Sequence, residues 1–396
     1  MKELETSERS FRIDRRKFIA GVGTGVVGTV AGCTGGGGGD NTSTTSTPTK
    51  SNSGSGNTDT TTKSSNKDFG GQELNVTLNV GAFGDVFKKY LIPQVEKKYN
   101  LKVNYESAFT SKSLTKIQAN PNNPPDVAMI DAIGVEKASR KGWLEPISGY
   151  SDIVTNYGDI PKKFKHYGDT GVSWEVGEVF PVINTNSWDS PPNSWDAAIK
   201  NANSVSLVPF SWSGGPYLLL MASAIATGGD FGSSNLDVDA GFKYLEKNLK
   251  PKVNSTYGGV ASAKQQLASG NVDTILDFWA YMVFDMFKND APVQGVWRPD
   301  PAAIPVAETL VVPKGGSKKE AAMAYVNEAL SVEFQEKMSA EIGAGVTNEN
   351  AKVADIAKKF GAPTAADFDQ YTFPDFKFIW DNRDQWSERW AKIFTQ

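Results

Sequence analysis

The chain has 396 residues, of which 39% are hydrophobic, 22% charged and 11% aromatic, and its formal net charge is −4. That length suits two domains of ordinary size plus a tail, and the acidic balance excludes a phosphate-tracking nucleic-acid surface. One cysteine excludes an internal disulfide and a thiolate zinc site, and one histidine, His166, leaves little room for imidazole metal sites or a nucleophile–histidine pair.

Taken in chain order, the first signal is Asp14-Arg15-Arg16-Lys17-Phe18-Ile19, paired arginines directly before a Gly-rich apolar stretch that ends at Gly32. The stretch is too short and too weakly hydrophobic to span a bilayer comfortably. It resembles a twin-arginine export signal, with Arg15 and Arg16 as the pair that is read. Val30-Ala31-Gly32-Cys33 resembles a lipobox, which implies cleavage before Cys33 and lipid attachment to its thiol. Two acyl chains hold a protein on a membrane where one does not. Residues 34–68 contain no aliphatic or aromatic side chain. They cannot bury apolar surface, so residues 33–72 are expected to be a lipidated, disordered tether after a signal at 1–32.

Leu74, Val76, Leu78 and Val80 alternate with polar residues, the period of a strand. Asp85 to Tyr99 has helical spacing interrupted by Pro93. Lys102–Tyr105 reads as a strand, Ser111–Ala119 as a helix, and Pro125–Asp131 as a buried strand leading into a helix through Ala138. This β-α-β-α-β-α order predicts a doubly wound sheet. A second series begins near Pro181. It has a strand at Leu207–Phe210, helices at Pro216–Ala226, Asp239–Leu249 and Ala261–Ala268, and a strand from Val272 ending at Trp279. Glu308–Pro313 reads as a further strand and Lys318–Leu330 as an amphipathic helix. Trp386, Trp390 and Phe394 recur at helical spacing, so the tail is expected to dock on a lobe as a helix. His166, beside Lys163 and Lys165, is expected at the surface.

Several stretches carry a family likeness. They include Val95–Val103, Pro125-Asp126-Val127-Ala128, Val182–Asn186 followed by Asn193-Ser194-Trp195-Asp196, Leu267–Asp273, and Glu308 through Lys314-Gly315 to Ala322. In order and spacing the chain resembles the class II solute-binding proteins of ABC transporters, in particular the spermidine/putrescine-binding group. The resemblance implies a two-lobed, periplasmic-binding-protein-like α/β fold, each lobe a doubly wound sheet, hinged around a ligand cleft. It puts lobe 1 at 73–180 plus 307–345 and lobe 2 at 181–306 plus 346–396. Ligands of such sheets sit at the carboxyl ends of the strands.

The candidate ligand-binding residues follow from that frame. Ser211-Trp212-Ser213-Gly214-Gly215 lies between a strand and a helix, where glycines admit a ligand and free amides at the helix start favour a polar or anionic group. The resemblance places Trp279 where a ligand-stacking indole lies and Glu308 where polyamine binders hold an amine. Phe83 and Asp131, at strand ends, are expected on the lobe 1 side, and Trp174 at the rim near the first crossover. Two departures count against a multiply charged polyamine. The loop Ser211–Gly215 lacks the two acidic residues of that group, and Val306 stands where a second tryptophan is expected.

The expected function is therefore an extracytoplasmic lipoprotein that hands a small polar solute, an amine by preference, to ABC permease subunits. Its other partners would be the twin-arginine translocase and lipoprotein-processing enzymes. The expected state is a monomer with no cofactor, no metal, no catalytic residues and no nucleic acid. The alternatives are the same fold for a sugar or organic acid, an extracytoplasmic hydrolase using two carboxylates, and an adhesive surface protein. For the hydrolase no nucleophile motif or opposed carboxylate pair is legible; for the adhesin there are no repeats.

Overall fold

The first sheet begins in the computed structural model with β1 (Gln72–Leu78), β2 (Leu101–Ser107) and β3 (Val127–Asp131), and continues with β4 (Lys165–His166) and β5 (Gly171–Ser173). There follow β6 (Gly177–Asn184), β7 (Val205–Leu207), β8 (Val253–Thr256) and β9 (Thr274–Trp279). The last three are β10 (Val293–Gly295), β11 (Ile304–Val306) and β12 (Glu308–Val311). The structure describes residues 67–394; Arg15, Arg16, Cys33 and nearly all of the proposed tether lie outside them.

The strands form two six-stranded sheets. The first has the order β2-β1-β3-β12-β5-β4; the second runs β10-β6-β9-β7-β8, with β11 also paired to β6. In the first, β1 runs parallel to β2 and β3, whereas the late strand β12 is inserted antiparallel between β3 and β5. The chain therefore leaves the first sheet after β5, builds the second, and returns at β12. This is the two-lobed, doubly wound α/β architecture expected from the sequence.

Burial explains the sequence of the strands. β3 reads Val-Ala-Met-Ile-Asp and is buried at every position, as a strand covered on both faces must be. β1 alternates at its start and is buried at its end. The helix Tyr217–Thr227 is apolar all round and is buried from Tyr217 through Ala224, which marks it as an interior helix. Asp131 and Ser194 cap the helices Ala132–Arg140 and Trp195–Asn201, each side chain accepting an amide of the first turn.

Three local expectations are corrected. The strand near Leu207 spans Val205–Leu207 instead of running to Phe210, because Pro209 has no N–H to give the ladder. The helix expected from Asp85 begins at Ala82 and takes a π turn over Phe87–Leu91, which lets Pro93 fall in the first turn of Ile92–Tyr99. His166 is not a surface residue. It lies buried on β4, its Nε2 2.8 Å from Ser173 Oγ, and burial lowers its pKa to about 4.

The C-terminal helix Phe376–Phe394 touches both halves of the molecule. Trp380 Nε1 donates to Ile133 O at 2.6 Å, the Lys137 ammonium lies over the Trp380 ring, and Asp381 pairs with Arg140. On the other side Arg383 donates to Trp212 O at 2.6 Å and Phe210 O at 3.2 Å, and Trp390 packs on Phe210. Trp386 and Trp390 are buried, as helical spacing in the tail led us to expect.

Candidate ligand site between the two sheets

Three chain passages join the halves, and they are bonded to one another. Val176 and Gly345 exchange both backbone hydrogen bonds, at 3.2 and 2.7 Å. Thr347 Oγ1 donates to Ser173 O at 2.8 Å. The Glu308 amide donates to Glu175 Oε1 at 2.7 Å, so a side chain of the first passage holds the main chain of the second. Side chains just beyond these passages, at the strand ends, form the walls of the space between the halves.

On the first-sheet wall, Glu308 and Asp131 are direct cross-strand partners, which brings their side chains together on one face. Asp131 is satisfied: it accepts Thr110 Oγ1 at 2.9 Å and the Gly134 amide at 2.8 Å. Burial raises its pKa, opposed by the Ser213 hydroxyl from the other half, by those two donors and by the Arg383 guanidinium. Glu308 is less complete. Asn79 Nδ2 donates to its Oε1 at 2.8 Å, while Oε2 is buried with no partner. Burial, with Asp131 and Glu175 beside it, pushes its pKa well above the usual carboxylate range.

The second-sheet wall is largely aromatic. Trp279 is half-buried at the end of β9, and a side chain at Gly214 would lie 3.1 Å from its Nε1. Gly215 is required for a different reason, since a Cβ there would sit 2.5 Å from Phe210 O. Three amides of this segment are taken up locally: Trp212 N bonds Pro209 O, Gly215 N bonds Trp212 O and Tyr217 N bonds Gly214 O. Tyr281 crosses to the first half, its ring 3.9 Å from that of Phe83.

The sequence candidates are thus partly brought together. Asp131, Trp279 and Val306 line one small cavity with Ala132, Tyr217 and Phe376. Its volume of about 10 Å³ is room for roughly one water, so the two walls are closed on each other. Ser213 neighbours Asp131, Gly214 neighbours Trp279 and Glu308 pairs with Asp131, so these three stand beside lining residues without lining the cavity themselves. Phe83 is fully buried beneath Tyr281, and Trp212 is half-buried with its ring 5.7 Å from Tyr257. Ser211 is exposed. Trp174 is not at a rim: it is fully buried among Phe83, Phe87 and Phe334, a core position in the first lobe. A larger pocket of about 280 Å³, bounded by Asp237, Asp239, Trp386 and Arg389, shares no lining residue with this one.

Asn79, Glu175, Tyr217, Asp277, Tyr281 and Arg383 were not foreseen. Glu175 and Asp277 carried a signal, each being an acid set in an apolar run (Val-Ser-Trp-Glu-Val and Ile-Leu-Asp-Phe-Trp). Among the described residues no group of three or more His, Cys, Asp or Glu could hold a metal ion, and no helix is long and apolar enough to cross a membrane.

Residues 91–366 match the family model of bacterial extracellular solute-binding proteins, and the chain belongs to that family. Among solved structures it is similar to an ABC transporter protein from Clostridium perfringens, with 22% identity, TM-score 0.67, and 81% of this chain and 99% of that one covered. It is similar also to a periplasmic binding protein from A. tumefaciens R10 in complex with agropinic acid, at 20% identity, TM-score 0.62, and 82% and 99% coverage. A GABA receptor matches at 22% identity and TM-score 0.64, with 81% and 97% coverage. A search of curated sequences gave no match.

Proposed function

We propose that the chain is the solute receptor of an ABC importer, lipid-anchored through Cys33 after twin-arginine export, and that its solute carries an amine. The observation that carries the ligand class is Glu308. A carboxylate buried without a partner on one oxygen is costly, and an ammonium supplies both the missing charge and the missing donor. Trp279 offers a π face across the same space, attractive to a cation by about 0.5–2 kcal/mol. Asp131, the cross-strand partner of Glu308, adds a second acid to that wall. One structural relative is a GABA receptor, and GABA bears an amine.

In this reading lobe 1 comprises 73–180 plus 307–345 and lobe 2 comprises 181–306 plus 346–396. The bonded passages at Val176, Glu308 and Gly345 serve as the hinge, and the lobes open to admit the solute and close on it. The protein acts by binding and delivery to the permease, without turnover. A second reading, an anionic solute, draws on the half-buried Arg383 guanidinium. A thermal-shift panel of amines, amino acids, sugars and organic anions separates the two, because a ligand of the folded form raises the melting temperature. Stabilisation by amines is the expected result; stabilisation only by sugars or anions overturns the amine reading.

A further inference from the structure

We infer that the solute is a monoamine carrying an aromatic ring, and that Phe373 and Phe376, from the stretch leading into the C-terminal helix, help to receive that ring. This rests on the amine reading of Glu308 and specifies the rest of the molecule to which the amine belongs.

The inter-sheet cavity shows what the site is made of beyond its acids. Among the described residues that line it, Asp131 alone carries a charge, and four are aromatic: Tyr217, Trp279, Phe373 and Phe376. The acid belongs to the first-sheet wall, where Asp131 pairs with Glu308. The rings come from the end of β9, from the start of helix Tyr217–Thr227 and from the tail. The site therefore has an acidic side and an aromatic side.

Local bonding fixes the two phenylalanines. Thr372 N donates to Ala303 O at 3.1 Å and Tyr371 bridges Ala303, so the chain before Phe373 is stitched to the segment that leads into β11. Asp375 then accepts the Phe378 amide at 2.8 Å, capping the helix that begins at Phe376. The two rings stand 6.0 Å apart at 71°, an edge-to-face pair, and Phe373 lies edge-on to His166 at 5.8 Å. Phe376 is buried, whereas Phe373 and Trp279 are only half-buried and keep free surface to offer. When the walls part, the faces now packed on one another are the ones a solute meets.

That composition selects among amines. A diamine reaching from Glu308 into the aromatic side would bury its far ammonium without a carboxylate beside it, and attraction to a ring face recovers only part of that cost. An aromatic ring carried by the solute instead removes apolar surface from water and packs edge-to-face against its neighbours.

Titration calorimetry of the full chain with 2-phenylethylamine, butylamine and 1,4-diaminobutane tests the inference. The parent is expected to bind 2-phenylethylamine at least tenfold more tightly than either aliphatic amine. Phe373→Leu and Phe376→Leu each keep an apolar side chain and remove a ring, and each should cut that preference at least threefold. A merely structural role would weaken all three amines alike, so a uniform loss overturns the part given to these residues. The parent comparison needs no variant, and a misfolded mutant therefore does not rescue the idea. If butylamine or the diamine binds the parent as tightly as 2-phenylethylamine, the amine reading stands and the aromatic ring falls. If none of the three binds, both fall.

Discussion

The carboxylate of Glu175 accepts the backbone amide of Glu308 at 2.7 Å, so the acid to which the proposed amine contact is assigned is tied by its own main chain to the passage between the two sheets. Asn79 fixes one side-chain oxygen of Glu308 and leaves the other open. On the proposed reading, ligand chemistry and the passages between the sheets meet at one residue.

Removing the charge of that residue is the most direct check on the amine reading. Glu308→Gln keeps the shape and the Asn79 contact, so a drop in affinity reports the lost charge. For the best amine from the panel, a loss of tenfold or more, about 1.4 kcal/mol, is expected by calorimetry. Unchanged affinity contradicts the role given to Glu308.

Glu175 makes a prediction in pH. Burial raises its pKa from an ordinary 4.5 to about 8, against the opposing Glu308 amide. Between those values the folded protein keeps a proton that the unfolded chain has released, so this contribution to stability is full below 4.5 and is lost as pH rises through 8. Glu175→Gln preserves an acceptor for the Glu308 amide and removes the titration. Its melting temperature should match the parent near pH 5 and exceed it increasingly toward pH 8. A constant difference across that range refutes the assignment.

His166 works in the opposite direction. Its folded pKa is about 4 against an ordinary 6.5, so the unfolded chain binds a proton that the folded one excludes. Stability is fully present above 6.5 and declines as pH falls toward 4. His166→Gln should flatten the acid side of the melting profile, and an unaltered acid limb would show that the ring does not titrate there.

The two lobes make a prediction about shape. The space between the walls is too small for a solute, so entry demands that they part. Small-angle scattering should show a smaller radius of gyration once a bound amine is added. A saturated protein with an unchanged curve would point to a rigid site.

The anchor is tested separately from the ligand. Cys33→Ser should leave the membrane while retaining ligand affinity, whereas replacing Arg15 and Arg16 by Lys should block export. Membrane retention of Cys33→Ser after a high-salt wash, or normal export of the lysine pair, would reject the respective assignment.

Much of the architecture was legible because its signals are periodic. Leu74 to Leu78 alternate and Val127 to Asp131 form a continuous buried run, whereas the helix over Lys319–Ala329, expected to be amphipathic, is buried at every position from Ala321 to Ala329. The helices Val332–Ile342 and Trp195–Asn201 and the short strands β4, β5, β8 and β10 were not delimited, the strands being too brief for a period to register. The site was legible only where a residue sits at a strand end, as Asp131, Trp279 and Glu308 do. The buried Asp277 escaped because the irregularity that carries it depends on the register of β9 against β6, where Leu276 and Asp277 stand opposite Pro181. Trp174 misled for the converse reason: nearness to a crossover in sequence does not reveal that Phe87 and Phe334 close over it. Arg383 comes from a helix that sequence order puts far from every strand end.

That last helix imposes a mechanical condition. A continuous rod of 19 residues is fastened to Ile133, Lys137 and Arg140 at one stretch and to Phe210 and Trp212 at another. Rotation that parts the walls must first peel one set of fastenings away. The Trp380 hydrogen bond and the half-exposed Arg140–Asp381 pair are the weaker set, since an exposed ion pair contributes little. The rod should therefore travel with the second lobe and come free of helix Ala132–Arg140. The residence time of the solute then depends on how quickly that seam unzips as well as on the strength of its own contacts.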